Sequence, residues 1–360
     1  MKKIFISIIF LIICRLFCLS LSQNFKLINI IGNDQSDSNF FYISDAIITP
    51  CRDIIILDAK ENFVARFDWE GKLINRIGQK GQGPGDFYWP TSASILNDKL
   101  YFLDRFNNRF VESNLELKNL HYFKLQENRM PKYFHVISKN KFVIDNTSFV
   151  QPDGPRIFII EKIGKANPKI SKMFFKHTPI DINLENKDDR TLYKFGSLFK
   201  VIYGIDDTRK KMLISFCSPN NPIVFFLYNI KGEFIKKFSY QTDKKYNFPH
   251  YLYKRKKLSF SSLRGQNVLD LASIFYYDSH WYVFVNTSHY ENRNFKNIRE
   301  VKKYTEKKSF YLKFDENGKL VGKFIVDPFF RCFHISKDGY VLGKHPDSEV
   351  ERLVVYKILN

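Results

Sequence analysis

Acidic residues are in short supply in this 360-residue sequence: 37 Asp and Glu stand against 57 Lys and Arg, for a formal net charge of +20. Cysteine is rarer, with five in all, and two of these, Cys14 and Cys18, lie in the first 22 residues. The remaining Cys51, Cys217 and Cys332 are odd in number, which excludes a disulfide framework as the basis of the fold. Each is expected as a small buried apolar side chain. Beyond the N-terminus no apolar run approaches a membrane-spanning length, so no transmembrane segment is expected in the mature chain. Enzyme signatures are also missing. None of the eight histidines forms a His-x-x-x-His pair, there is no Cys-x-x-Cys, and no serine sits in a Gly-x-Ser-x-Gly elbow. The glycine-rich run Gly81-Gln82-Gly83-Pro84-Gly85 lacks the Gly-Lys-Ser/Thr ending of a phosphate loop, and Phe87 leads into a strand-like segment. No catalytic, cofactor-binding or metal-ligating residue is therefore assigned.

What is present begins with an export signal. Lys2-Lys3 supplies a positive start, Ile4 to Ile13 an apolar stretch too short to span a bilayer, and Ser20-Leu21-Ser22 the small residues that precede cleavage. Residues 1–22 are read as a secretory signal peptide and residues 23–360 as one domain. Lipidation at Cys14 or Cys18 ranks second, because Ile13 and Phe17 stand where a small residue belongs. Losing Lys2, Lys3 and Arg15 with the signal leaves a mature charge of +17. Such a charge suits an anionic partner. The absence of a nucleic-acid-binding motif and the export signal together argue against DNA or RNA.

A repeat organises the rest. Lys26-Leu27-Ile28-Asn29-Ile30-Ile31-Gly32 recurs with one change as Lys72 to Gly78, 46 residues later. At the same offset Ile54 to Asp58 matches Leu100 to Asp104, and Phe63 to Asp68 matches Arg109 to Asn114. A turn marker, an acid or Asn followed three residues on by Gly, recurs as Asp68…Gly71, Glu161…Gly164, Asn229…Gly232 and Asp315…Gly318. These types fit a hairpin, since Asp or Asn bonds nearby backbone and Gly supplies positive φ. Asn114…Leu117 breaks the marker, so that turn is expected to differ. Five outer-strand runs follow such turns, at 72–78, 118–124, 168–175, 233–239 and 319–326. The sixth copy, 26–32, has no turn before it, while Arg352 to Ile358 has no strand after it. An all-β, six-bladed β-propeller whose ring is closed by the N-terminal strand pairing into the last blade supplies each end with what it lacks.

The loop Ile77-Gly78…Gly81-Gln82-Gly83-Pro84-Gly85-Asp86-Phe87, the strand ending Leu103-Asp104 and the following Asn108-Arg109-Phe110 resemble the bacterial secreted six-bladed β-propeller family related to NHL repeats. The resemblance is specific over residues 54–124. It implies blades whose strands run from the channel outward, so that blade-to-blade links and second-to-third-strand loops share one face. On that face it places three insertions, Lys176–Gly196, Tyr240–Asn267 and Asn286–Lys308. Residues 240–267 carry seven Lys or Arg and one acid, and residues 286–308 carry seven and three, with aromatics such as Tyr246, Tyr253 and Tyr290 between them. Lys254, Arg255, Lys256, Lys257, Lys302 and Lys303 are the candidate partner-binding residues. The expected function is an exported, monomeric binding module in the periplasm, at the cell surface or outside the cell, contacting an anionic glycan or envelope protein through this basic face. The alternative is a metal-dependent propeller enzyme, since the resemblance extends to lactonases and lyases with ligands at the channel mouth. Asp58 and Asp104 end equivalent strands, where a repeated turn-capping role explains them better than chemistry.

Overall fold

The computed structural model describes residues 25–32, 40–125, 131–145, 156–162, 167–175, 201–206, 208, 210–216, 222–242, 246, 253–254, 257–258, 267–293, 300, 303, 305–326, 330–345 and 351–359. They form six four-stranded antiparallel sheets and one short hairpin. The first strand, β1 (Phe25–Ile31), belongs to the last sheet. Blade one is β2 (Ile43–Ile48), β3 (Ile54–Asp58), β4 (Phe63–Phe67) and β5 (Leu73–Ile77). Blade two is β6 (Pro90–Leu96), β7 (Lys99–Asp104), β8 (Arg109–Asn114) and β9 (His121–Lys124). Blade three is β10 (Phe134–Ser138), β11 (Lys141–Asp145), β12 (Ile157–Glu161) and β13 (Lys169–Phe174). Blade four is β14 (Val201–Ile205), β15 (Lys211–Phe216), β16 (Ile223–Asn229) and β17 (Phe234–Tyr240). A hairpin of β18 (Tyr253–Lys254) and β19 (Lys257–Leu258) precedes blade five, which is β20 (Asn267–Tyr277), β21 (His280–Tyr290), β22 (Thr305–Asp315) and β23 (Leu320–Val326). Blade six is β24 (Arg331–Ile335), β25 (Tyr340–Lys344) and β26 (Leu353–Ile358), completed by β1.

Middle strands such as β3, β12 and β16 are apolar without alternation because both of their faces are buried. Odd and even side chains serve different neighbours. Ile54 and Ile56 of β3 join a core shared with blade six, while Ile55 and Leu57 join one shared with blade two. In β21, Trp281, Val283 and Val285 face blade four, and Tyr282 and Phe284 face blade six. Six such cores are present among the described residues, one at each of the six junctions between adjacent blades. Each fully buried large side chain contributes about 1.5–3 kcal/mol, so stability is distributed around the ring. The junction between blades six and one is as apolar as the others, with Ile31, Leu342, Leu353 and Val355 against Ile43, Ile54 and Phe67.

Closure is a strand pairing. β1 runs antiparallel to β26, from Phe25 opposite Ile358 to Ile31 opposite Leu353. Phe25 is set among aromatics of blades five and six, 5.4 Å from Tyr311 and 6.1 Å from Phe330. The repeated heptapeptide thus marks outer strands, and its Leu27, Ile28, Leu73 and Ile74 lie exposed on the rim.

The hairpins follow the marker, with one correction. The N–H groups of Gly71, Gly232 and Gly318 bond the carbonyls of Asp68, Asn229 and Asp315 at 2.9–3.1 Å, with φ between 72° and 88°. Leu117 does the same to Asn114, at 3.1 Å and φ 59°, so this turn does not differ. Its side chain is buried in the core between blades one and two, and that burial offsets the strain of a left-handed leucine. Gly164 lies outside the described residues. Among the cysteines, Cys332 is buried as expected, Cys51 is exposed instead, both are free, and Cys217 lies outside the described residues.

Deleting residues 23–32 bares the edge of β26 and removes Phe25 and Ile31 from two cores. The variant is expected to lose about 3 kcal/mol or more and to melt well below the parent, as followed by circular dichroism. Parent-like melting would rule out closure by β1.

Candidate functional site

In this topology the links between blades and the loops joining second to third strands emerge on one face, and the other hairpins on the opposite face. The first face is built on three aspartates. Asp58, Asp104 and Asp145 end the second strands of blades one to three and are completely buried. A buried carboxylate needs donors, and here the donors are backbone amides and neighbouring side chains. Asp58 accepts the N–H groups of Phe41 (2.7 Å) and Tyr42 (3.3 Å) with one oxygen, and those of Lys60 and Glu61 (3.0 Å each) with the other. Asp145 accepts those of Lys132 and Tyr133, both at 2.7 Å. Asp104 accepts the N–H of Tyr88 at 2.7 Å, the Asn107 amide at 2.7 Å and Arg109 Nε at 2.8 Å. Burial raises the pKa of Asp104, and these donors oppose the rise. The recurring acids are therefore clamps on the chain entering blades one, two and three, and Asp58 and Asp104 tie that chain to the loop that follows them.

Arg109 extends the clamp in blade two. Its guanidinium donates to the carbonyls of Gln82 (3.0 Å), Gly83 (3.3 Å) and Asp86 (2.8 Å) and lies 4.6 Å from the Tyr122 ring centre. The glycine-rich run is thus a blade-to-blade crossing held by an arginine. Gly78 begins it at φ 103°, and a Cβ there would sit 2.6 Å from Phe87.

The clamps hold aromatic side chains toward solvent. Tyr42 and Trp89 are nearly parallel, with an interplanar angle of 29° and centroids 5.8 Å apart, and Trp89 and Phe106 follow at 33° and 5.8 Å. At that separation near-parallel rings are in offset contact and not directly face to face. Tyr88 packs edge-on against Phe106 at 5.1 Å. Tyr42 is 38% exposed, Phe106 39% and Phe41 54%. Trp89 has φ 64°, an outlier for a bulky side chain, and its N–H is held by Asn62 Oδ1 at 2.8 Å. Cations lie over these rings: Lys60 over Phe41 (4.8 Å), Lys80 over Tyr88 (5.3 Å), Arg105 over Phe106 (5.8 Å) and Lys344 over Tyr42 (5.8 Å). Farther along the same face Lys132 lies over Tyr133 at 5.2 Å.

The inner strands β2, β6, β10, β14, β20 and β24 surround a channel cavity of about 620 Å³. Their inner edges have no further strand to pair with, so their amides need other acceptors. Side chains from the neighbouring blade supply them. Asp45 accepts the N–H of Ala93 at 2.8 Å, Ser94 Oγ that of Val136 at 3.2 Å, and His334 Nδ1 that of Ile48 at 3.2 Å. Much of the polar lining is thus used to complete the scaffold. Burial pushes Asp45 up to about 7, against the bonds from Ala93 and Ala46 and the charge of Arg331. Burial pushes His334 down to about 4, consistent with a neutral ring accepting at Nδ1. Among the described residues no three His, Cys, Asp or Glu side chains gather as metal ligands do.

The residues proposed from sequence are only partly placed. Lys254 and Lys257 are paired across the β18–β19 hairpin, on the link between blades four and five. Lys303 is exposed. Arg255, Lys256 and Lys302 lie outside the described residues, as does the insertion Lys176–Gly196. Tyr246, expected on the rim, packs against the core between blades four and five. Sequence reasoning missed Tyr42, Tyr88, Trp89 and Phe106. A signal existed, because the doublets Phe41-Tyr42 and Tyr88-Trp89 precede the first strands of two blades at nearly the repeat offset.

Comparison with known proteins agrees on the architecture. Residues 20–248 match the sequence model of the family DUF5128, described as a 6-bladed beta-propeller. No curated protein matches the chain. Among solved structures, a member of the DUF4221 family from Bacteroides vulgatus aligns over 94% of this chain and 100% of its own, with 13% identity and a TM-score of 0.61. A candidate exported protein from Bacteroides fragilis aligns over 94% and 96%, with 10% identity and a TM-score of 0.56. Virginiamycin B lyase from Staphylococcus aureus aligns over 93% and 100%, with 9% identity and a TM-score of 0.47, too low to carry its chemistry across.

Two predictions follow from the clamps and the channel. Asp104→Asn removes the charge that pairs with Arg109 in a buried site and is expected to cost about 3 kcal/mol, read by chemical denaturation. The second concerns pH. The folded state holds His334 neutral down to about pH 4, whereas an unfolded chain binds that proton near 6.5. The contribution of His334 is therefore intact above pH 6.5 and drains away as pH falls to 4. Asp45 has the opposite sign, with a contribution that is full below about pH 4 and lost as pH rises through 7. His334→Asn keeps an acceptor for Ile48 and removes one titration. Measured by denaturation from pH 4 to 6.5, the stability of the parent relative to this variant should rise by about 2–3 kcal/mol.

Proposed function

The chain belongs to the DUF5128 family of six-bladed β-propellers, and from that premise we propose that it is an exported binding module whose loop-rich face takes an anionic glycan. The observation that carries the reading is the set of five Lys or Arg side chains lying over aromatic rings on that face. A cation above a ring keeps its charge near the surface while the ring supplies apolar contact area; Lys344 is in addition ion-paired with Glu351. The +17 of the mature chain adds a long-range attraction for a polyanion, and four of those charges are the run Lys254 to Lys257, of which Lys254 and Lys257 pair across the β18–β19 hairpin. Export rests on the Lys2-Lys3 start, the apolar Ile4 to Ile13 and the Ser20-Leu21-Ser22 site. The B. fragilis protein of like fold is itself a candidate exported protein.

A channel-mouth enzyme is the second reading. It is favoured by Asp45, whose pKa of about 7 suits proton transfer, on the wall of a cavity that also holds Arg331 and Tyr133. A stoichiometric metal in the purified mature protein, with melting that drops on chelation, would move the assignment there.

The binding reading is tested with the four-site variant of Lys254, Arg255, Lys256 and Lys257, each replaced by Ser. On an immobilised anionic polysaccharide the variant should elute at clearly lower salt than the parent, with melting nearly unchanged. Equal retention would reduce the hairpin to solvated surface.

A further inference from the structure

Resting on the glycan reading above, we infer that Tyr42, Trp89 and Phe106 form a sugar-stacking subsite for a polysaccharide of equatorially linked pyranose rings, some of them carrying a carboxylate. The Trp89 ring centre lies 5.8 Å from those of both Tyr42 and Phe106, at interplanar angles of 29° and 33°, so the three rings make one contiguous aromatic cluster. No interblade core includes any of the three, and Tyr42 and Phe106 are more than a third exposed. The chain nevertheless holds them firmly. Asp58 bonds the amide of Tyr42, Asn62 the amide of Trp89, and the Phe106 N–H donates to the Tyr88 carbonyl at 3.0 Å. The shelf is therefore preorganised, and a ligand need not meet the cost of ordering it.

The chemistry of the shelf selects its occupant. A pyranose with equatorial substituents turns axial C–H bonds toward one face, giving a flat apolar patch of slightly positive hydrogens that meets the negative face of an aromatic ring. Its hydroxyls and linkages point outward at the edge, into water. Lys60 and Lys80 lie over the adjoining Phe41 and Tyr88 rings and Arg105 over Phe106 itself, so a carboxylate at that edge meets cations. Glu61 is exposed and Asp86 half-buried, whereas Asp58 and Asp104 are fully buried in the clamps, so the cations Lys60, Lys80 and Arg105 outnumber the acids these loops present. A polyanion without sugar rings satisfies the cations and leaves the shelf bare.

Hyaluronan and mannuronate hexasaccharides are suitable probes, with inorganic polyphosphate as the ring-free comparator, each titrated into the mature protein by calorimetry. At least one hexasaccharide should bind, and Trp89→Ala should weaken it tenfold or more while leaving polyphosphate within twofold of the parent. Because Trp89 has an unusual backbone, Phe106→Ala is run beside it and should weaken the same hexasaccharide at least threefold. Hexasaccharide binding that survives both variants overturns the shelf and leaves the glycan reading standing. Binding of polyphosphate alone overturns the shelf and the glycan reading together, leaving a general anion-binding face. Binding of none of the three overturns both.

Discussion

Every blade of this protein is a sheet that must bury both faces, and no blade can do so alone. Ile54 and Ile56 need blade six as much as Ile55 and Leu57 need blade two. That requirement passes from blade to blade and is met only when the ring closes. The pairing of β1 with β26 carries Ile31 into the junction between blades six and one and Phe25 into that between five and six. The channel is a by-product of the same constraint. Closing the ring turns six strand edges inward, where they have no strand to pair with, and Asp45, Ser94 and His334 supply acceptors for the stranded amides. A channel lined with acid, hydroxyl and imidazole groups thus has a structural explanation before any catalytic one.

A scaffold that rigid lets loops be held in conformations that a looser fold would relax. The buried aspartates at the ends of the second strands convert strand geometry into loop geometry, since each takes hydrogen bonds from the link entering its blade. Arg109 then ties the glycine-rich crossing to the same point. The partly exposed cluster of Tyr42, Trp89 and Phe106 is the visible result. Aromatic surface left in water costs free energy, and so does a tryptophan at positive φ. Both are retained here beside the cations Lys60, Lys80 and Arg105.

The fold was legible because its cause is periodic. A blade repeats every 40 to 50 residues, so the heptapeptide at 26 and 72, the Leu-Asp strand ends and the turn markers all report the same unit. The unmatched strand at each end pointed to closure for the same reason. Leu117 was misread because residue identity suggested that glycine was needed, whereas burial of the side chain in a core tolerates the same backbone angle. The candidate site was less legible. Basic runs such as Lys254 to Lys257 stand out in a sequence, but charge density does not say which rings a cation covers. Tyr42, Trp89 and Phe106 become neighbours only when the link and the loop of two successive blades are folded against each other. The roles of Asp58 and Asp104 could be anticipated from their matching offsets, because a repeated position in a repeated fold usually does a repeated job.

The partners in the closing ladder stand more than 320 residues apart, from Ile31 with Leu353 to Phe25 with Ile358. Few contacts could be less local, and non-local contacts are slow to form because loop-closure entropy is lost before any interaction repays it. Until the last strand of the chain has been made, β1 has nowhere to dock and the nascent ring carries an open edge. The protein therefore spends its synthesis as an incomplete circle with a strand edge available to other chains, and its yield depends on how that edge is shielded until the two ends meet.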